Sequence, residues 1–386
     1  MPTNKDKENT KKTILVIDLK QESQNSFIIK DILEDEPTFS IISICGEHFS
    51  GLALQVVDEF INKYLILKKV KANIINFSKD MLSKLPLPKK EKELSYYSKL
   101  PLHKKIKNAV LRYNPDLVLC TSADALKAAC AYKKHTGGEY KVGGLLYSYY
   151  PDKSFAIPEA DFIIVDNYDI KQQFIAYGLA DERVFITPIP TSPSLKKLVS
   201  REEALKQFDI DDKTTLLVCT SVLGDERFKR VLSNIGLGDK LNVLVNCGQN
   251  QRLARYVQEL YKPWIRAITD EDMLTALSLS DMVIGRPQAE IIASTIFLEK
   301  IFFSIFALGA EERHTQKYLG YDIIVPCKDV ADLFSNIKKF LADNNTFAER
   351  LHHIQAIKQT EEAESLQGLL LSVLTQKEEN GLGDES

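Results

Sequence analysis

The chain has 386 residues, of which 44% are apolar and 27% charged, with a formal net charge of -3. That length exceeds what one hydrophobic core usually serves, so two domains of ordinary size are expected. The composition is that of a globular protein, the charge excludes a general nucleic-acid binder, and no apolar run approaches the roughly 18 to 20 residues that span a bilayer.

The opening stretch "MPTNKDKENTKK" lacks the apolar segment of a signal peptide, which predicts a cytoplasmic protein. In chain order, β-branched runs at 13–19, 39–45, 72–77, 116–122, 142–148, 161–167 and 184–188 read as strands, most of them separated by helical patterns. After the proline-rich "PIPTSPS" the same grammar restarts, with strands at 214–221, 242–248, 281–285, 300–305 and 322–326. The expectation is an α/β protein of two Rossmann-like, doubly wound domains, 1–190 and 191–386, facing a cleft. Six cysteines (Cys45, Cys120, Cys130, Cys219, Cys247, Cys327) are scattered without a C-x-x-C pair and read as buried reduced thiols. No metal-ligand spacing, P-loop or nucleophile elbow is present in the sequence.

Sheets of this kind bind ligands beyond the carboxyl ends of their strands. In "CGEHFSG", Gly46 permits a sharp turn, and His48 is a titratable group able to take a proton from a hydroxyl; a surface histidine on a loop is the plain alternative. From Lys79 to Lys107, nine lysines stand against three acids among leucines and tyrosines, a composition suited to an anionic membrane surface and also to a solvated loop. In "NCGQNQRL", Gly248 allows close backbone approach, while Gln249 and Asn250 offer donors and acceptors to a polar ligand. In "SDMVIGRP", Arg286 follows a strand and precedes a helix, where it could neutralise phosphate. In "LGAEERHTQKYL", Glu311, Glu312 and His314 could hold sugar hydroxyls, although acidic residues are also favoured in any first helical turn.

From about residue 38 to 345 these segments resemble the glycosyltransferase family of monogalactosyldiacylglycerol synthases and processive diacylglycerol glucosyltransferases, relatives of the enzyme that glycosylates lipid I. "GEHFSG" looks like the family's Gly-x-Gly-His loop, and "NPDLVLCTSADALKAACAY", "PEADFIIVDNYDIKQQFIAYGLADERVFITPIP", "NCGQNQRL", "SDMVIGRP" and "GAEERHTQKYL" follow in the family's order. The resemblance implies a glycosyltransferase-B fold, a UDP-sugar donor held mainly by the second domain, a lipid acceptor met by the first and no required cofactor or metal. It implies that His48 acts near the acceptor, that Gly248, Gln249, Asn250 and Arg286 contact the nucleotide, and that Glu311, Glu312 and His314 meet the donor sugar. Residues 79–107 fall where such enzymes carry a membrane-contacting insert, which implies peripheral association with the inner face of the cell membrane.

The sequence departs from the family at several positions. Glu47 replaces the second glycine before the histidine, Gln288 and Ala289 replace a glycine pair, and Ser294 stands where a ribose-binding glutamate is expected. Ala310 replaces a glutamine, His314 an asparagine and Ser148 an aspartate. The expected function is inverting transfer of a hexose from a UDP-sugar to a diacylglycerol-like acceptor at the cytosolic membrane face. The alternatives are a degenerate, non-catalytic binding or scaffolding protein of the same fold and another enzyme of that architecture, such as a sugar-nucleotide epimerase. Residues 13–36 precede the family-like region and are expected to add a strand and helix at the sheet edge.

Overall fold

The computed structural model describes residues 11–18, 25–44, 101–220, 227–236, 240–248, 250–361 and 365–379. The chain divides into two compact units: Met1–Tyr147, Pro151–Pro188 and Leu366–Ser386 form the first, and Ser148–Tyr150 and Ile189–Ser365 the second.

The described first unit begins with β1 (Lys12–Ile17), α1 (Asn25–Glu34) and β2 (Phe39–Ile44), and resumes at α2 (Pro101–Tyr113). It continues through β3 (Leu117–Cys120), α3 (Ala123–Thr136), β4 (Lys141–Leu145), β5 (Phe162–Val165), α4 (Tyr168–Ala176) and β6 (Val184–Ile186). The strands pair in parallel in the order β2-β1-β3-β4-β5-β6. β3 and β5 are buried along their whole length, which is why they read as unbroken apolar runs rather than alternating ones. The expected strand at 72–77 lies outside the described residues. β1 does not sit at the edge as expected. It is held between β2 and β3, pairing in parallel with both, and Ile14, Leu15, Val16 and Ile17 are all buried.

The second unit contains α5 (Arg201–Phe208), β7 (Thr214–Cys219), α6 (Phe228–Asn234), β8 (Leu241–Asn246), α7 (Gln251–Glu259), β9 (Ile265–Ile268), α8 (Met273–Leu279), β10 (Met282–Gly285), α9 (Ala289–Phe297), β11 (Ile301–Ser304), α10 (Gly309–Leu319), β12 (Val325–Pro326), α11 (Val330–Ala342) and α12 (Ala348–Glu361). Its parallel sheet runs β12-β11-β10-β7-β8-β9. β9 has no counterpart among the expected strands. It pairs with β8, and its four residues include Arg266, too short and too polar a run to stand out in the sequence.

Beyond the second unit, α13 (Leu366–Glu379) returns to the first, so the final segment does not belong to a 191–386 domain as expected. Leu366, Leu370, Val373 and Leu374 are buried in the same cluster as Ile14, Val16, Ile29, Leu33 and Leu117. Gln367 Nε2 donates to the Ile32 carbonyl at 2.5 Å, and Lys141 Nζ donates to that of Val373. Burial of this apolar face overrides the position of the helix in the chain. The described cysteines, Cys120, Cys130, Cys219, Cys247 and Cys327, are free and buried, and Cys45 lies outside the described residues.

Candidate functional site

In the second unit the strand order reverses between β7 and β10, the place where doubly wound sheets bind ligands. Gly285 closes β10 at a tight spot, where a Cβ would meet Cys219 Cβ and Phe302 Cζ at 3.3 Å. The next residue, Arg286, is mostly buried and tied to Glu312 of α10: Nε donates to Oε2 at 3.1 Å and Nη2 donates to Oε1. Glu312 Oε2 also accepts the Leu308 N–H at 2.6 Å, just before Gly309 (φ +69°) opens the helix. Arg286 is therefore oriented by a forked ion pair, the strong form of this interaction. Its remaining N–H donors have no hydrogen-bond partner among the described residues.

This pairing changes the reading of the acidic turn. Glu312 was expected to meet a sugar, whereas its oxygens hold Arg286 and the start of α10. Glu311 Oε1 accepts from Ser148 Oγ at 2.7 Å, and that oxygen in turn accepts the Tyr150 N–H at 3.1 Å, all within the second unit. The His314 ring lies edge-on to Tyr150 at 5.2 Å and stacks with Tyr318 at 6.0 Å. Burial, then the Lys317 charge, hold its pKa below the ordinary imidazole value, which favours the neutral ring.

A second group gathers at the ends of β8 and β9. Asn246 Oδ1 accepts the Gly248 N–H at 2.8 Å, its Nδ2 donates to Asp270 Oδ1 at 3.0 Å, and its carbonyl accepts from Thr220 Oγ1 at 2.6 Å. Gly248 adopts φ +50°, the left-handed region that favours glycine, and a Cβ there would approach Asp270 Oδ2 at 3.3 Å. Asn250 Oδ1 accepts the Leu253 N–H at 3.0 Å and so caps α7. Gln249 lies outside the described residues.

Glu290, in the first turn of α9, is a residue the sequence reasoning missed. Burial, then the Asp270 carboxylate, raise its pKa above the ordinary glutamate value. The position of the absent glutamate, Ser294, is one helical turn further on, and its buried hydroxyl donates to the Glu290 carbonyl at 2.9 Å. A carboxylate thus stands on the same helix face, one turn closer to the strand ends. The signal available in the sequence was "PQAEII", an acid placed in the first turn after a strand.

His48 and residues 79–100 lie outside the described residues, while 101–107 fall in α2, which contains no acidic residue. Among the described residues, no group of three or more His, Cys, Asp or Glu could hold a metal ion, and no helix is long and apolar enough to cross a membrane.

No family model matches the chain. Over 175 residues it is 23% identical to a processive diacylglycerol β-glucosyltransferase of Staphylococcus epidermidis, covering 45% of this chain and 44% of that protein. Over 236 residues it is 22% identical to the protein of that name from Staphylococcus haemolyticus, covering 59% and 60%. The chain therefore matches about half the length of these curated relatives. Solved structures share the fold over almost the whole chain. A UDP-GlcNAc 2-epimerase from Neisseria meningitidis bound to UDP-GlcNAc superposes with a TM-score of 0.59 at 12% identity, covering 95% of this chain and 100% of that one. A glycosyltransferase from Rickettsia africae gives 0.57 at 15% identity, covering 97% and 100%. The architecture is the two-unit Rossmann-like fold of glycosyltransferase-B proteins and these epimerases.

Proposed function

We propose that this divergent relative of the diacylglycerol glucosyltransferases is a transferase that moves a hexose from a UDP-sugar to a lipid hydroxyl. The observation that supports it most directly is Arg286, fixed at the carboxyl end of β10 by Glu312 with donors to spare, beside the N-terminus of α9. In this reading Arg286 and the backbone N–H groups of α9 meet the diphosphate, and the departing UDP carries its growing charge toward them. Glu290 accepts hydrogen bonds from the ribose hydroxyls in place of a carboxylate at Ser294. Gly248 lets the backbone approach the nucleotide, and His314, in its neutral form, donates to or accepts from the sugar. His48 takes the proton of the acceptor hydroxyl, which attacks in line with the leaving UDP and inverts the anomeric carbon. The lysine-rich stretch 79–107 rests on anionic lipid headgroups at the cytosolic membrane face.

One observation favours a second reading, a binding protein without transfer: both carboxylates in the first turns of α10 already have partners within the second unit. Isothermal titration with UDP, UDP-glucose, UDP-galactose and UDP-N-acetylglucosamine, with ADP as control, separates the two. Selective micromolar binding of uridine nucleotides, followed by sugar transfer that His48→Ala abolishes without loss of UDP binding, is the expected result. No binding at millimolar UDP removes the transferase.

A further inference from the structure

The first unit carries a pocket of about 700 Å³ at the end of its sheet opposite to the one where sheets of this kind take their ligands. It lies at the amino ends of three neighbouring strands, β1, β3 and β4. Its walls come from the last turns of α2 and α3 and from Leu374 of α13, all within that unit. The size falls in the range of roughly 300 to 1,000 Å³ found for small-molecule sites.

The formal charges on these walls are already matched. Asp116 Oδ2 accepts the Thr13 N–H at 2.8 Å, and its Oδ1 lies 3.9 Å from Lys12 Nζ. Lys141 Nζ donates to the Val373 carbonyl, and Glu139 is likewise engaged. A charged ligand would enter with no counter-charge set aside for it.

The uncharged groups are the ones left open. The Tyr140 hydroxyl is buried without a hydrogen-bond partner among the described residues, and the Thr136 hydroxyl nearby is committed to the Tyr132 carbonyl at 2.9 Å. Burial raises the Tyr140 pKa, so the phenol keeps its proton to donate. At the end of α2, Asn114 adopts φ +42° and its N–H donates to the Val110 carbonyl at 2.9 Å, while its exposed side chain lines the pocket. The next carbonyl, that of Leu111, has no helical donor, because Pro115 lacks an N–H. The Leu111 side chain, 67% exposed, and those of Tyr132 and Tyr140 add apolar and aromatic surface.

We propose that this pocket binds an uncharged sugar, at a site separate from the donor and acceptor sites of the transferase reading. A sugar ring offers a C–H face to apolar and aromatic side chains and a rim of hydroxyls that donate to carbonyls and accept from a phenol or an amide. Matched charges, open hydroxyl and carbonyl groups and apolar walls together fit that chemistry.

The test is saturation-transfer NMR titration of the full chain at pH 6 with glucose, glucosamine and glucuronate, one ring in neutral, cationic and anionic form, with and without UDP. Glucose is expected to bind saturably, about fivefold or more tightly than either charged analogue, and UDP leaves its signal in place. Tyr140→Phe and Asn114→Gly, the second chosen because glycine keeps the left-handed backbone, each weaken glucose binding by about fivefold or more. Absence of saturable glucose binding, a charged analogue that binds as well, a signal that UDP displaces, or unchanged affinity in Tyr140→Phe overturns the proposal. A parent that binds no UDP defeats the transferase reading instead and leaves the glucose comparison to decide this one. Tyr140→Phe is expected to melt no lower than the parent, since it removes a buried hydroxyl that has no partner, so that its loss of binding is distinct from loss of fold.

Discussion

Glu290 enters α9 with its carboxyl buried and facing Asp270, and both circumstances oppose its ionisation. Its folded pKa is therefore above that of the unfolded chain, so the folded protein holds the extra proton between the two values. Stability falls as pH rises from the ordinary glutamate range through the raised pKa. Glu290→Gln removes this penalty: the variant is expected to melt at a higher temperature than the parent at pH 7, with the difference vanishing below about pH 4, where both states are protonated. If Glu290 holds the ribose, the same variant binds UDP on the order of tenfold more weakly, so stability and affinity move in opposite directions.

The Arg286–Glu312 pair gives a different signature. Both side chains are largely buried, and removing one partner strands the other's charge. Glu312→Ala is expected to lower unfolding free energy by about 3 kcal/mol or more in urea titration, and the Arg286→Met/Glu312→Ala double variant by less than the sum of its singles. Strict additivity would show that the pair is not coupled. The cysteines predict little chemistry: burial pushes the Cys247 and Cys327 thiols up to about 12, well away from the thiolate form at neutral pH.

At the scale of elements, helix starts follow local rules that the sequence displays. Ser200 and Glu203 form a reciprocal capping box on α5, and Asn167 and Asp329 accept backbone N–H bonds at the starts of α4 and α11. The attachment of α13 follows no such local rule. Leu370, fully buried against the first unit, anchors it. Leu370→Ala is expected to cost about 2 to 5 kcal/mol, read as a lower midpoint for unfolding of the first unit with that of the second unchanged. A drop confined to the second unit would contradict the observed packing.

For the whole molecule, two compact units make a single unfolding free energy an inadequate description. UDP held by the second unit should raise only that unit's transition, by about 2.7 kcal/mol at a concentration a hundred times its Kd. Differential scanning calorimetry with and without UDP reads this directly, and an equal rise in both transitions would argue against a site within one unit.

The sequence by itself determined the two parallel sheets and most strand ends, because a buried strand followed by a turn and an amphipathic helix is a local pattern of apolar periods. Gly248 and Arg286 were legible for the same reason: each interrupts an apolar run where a strand must end. Tertiary structure alone decided which strands are neighbours, moving β1 from the expected edge to the interior, and which unit receives α13. It alone decided that Glu312 serves Arg286 and that Glu290 faces Asp270. Such pairings join residues distant in the chain, and they are set by burial and charge balance in three dimensions, to which periodicity along the sequence is blind.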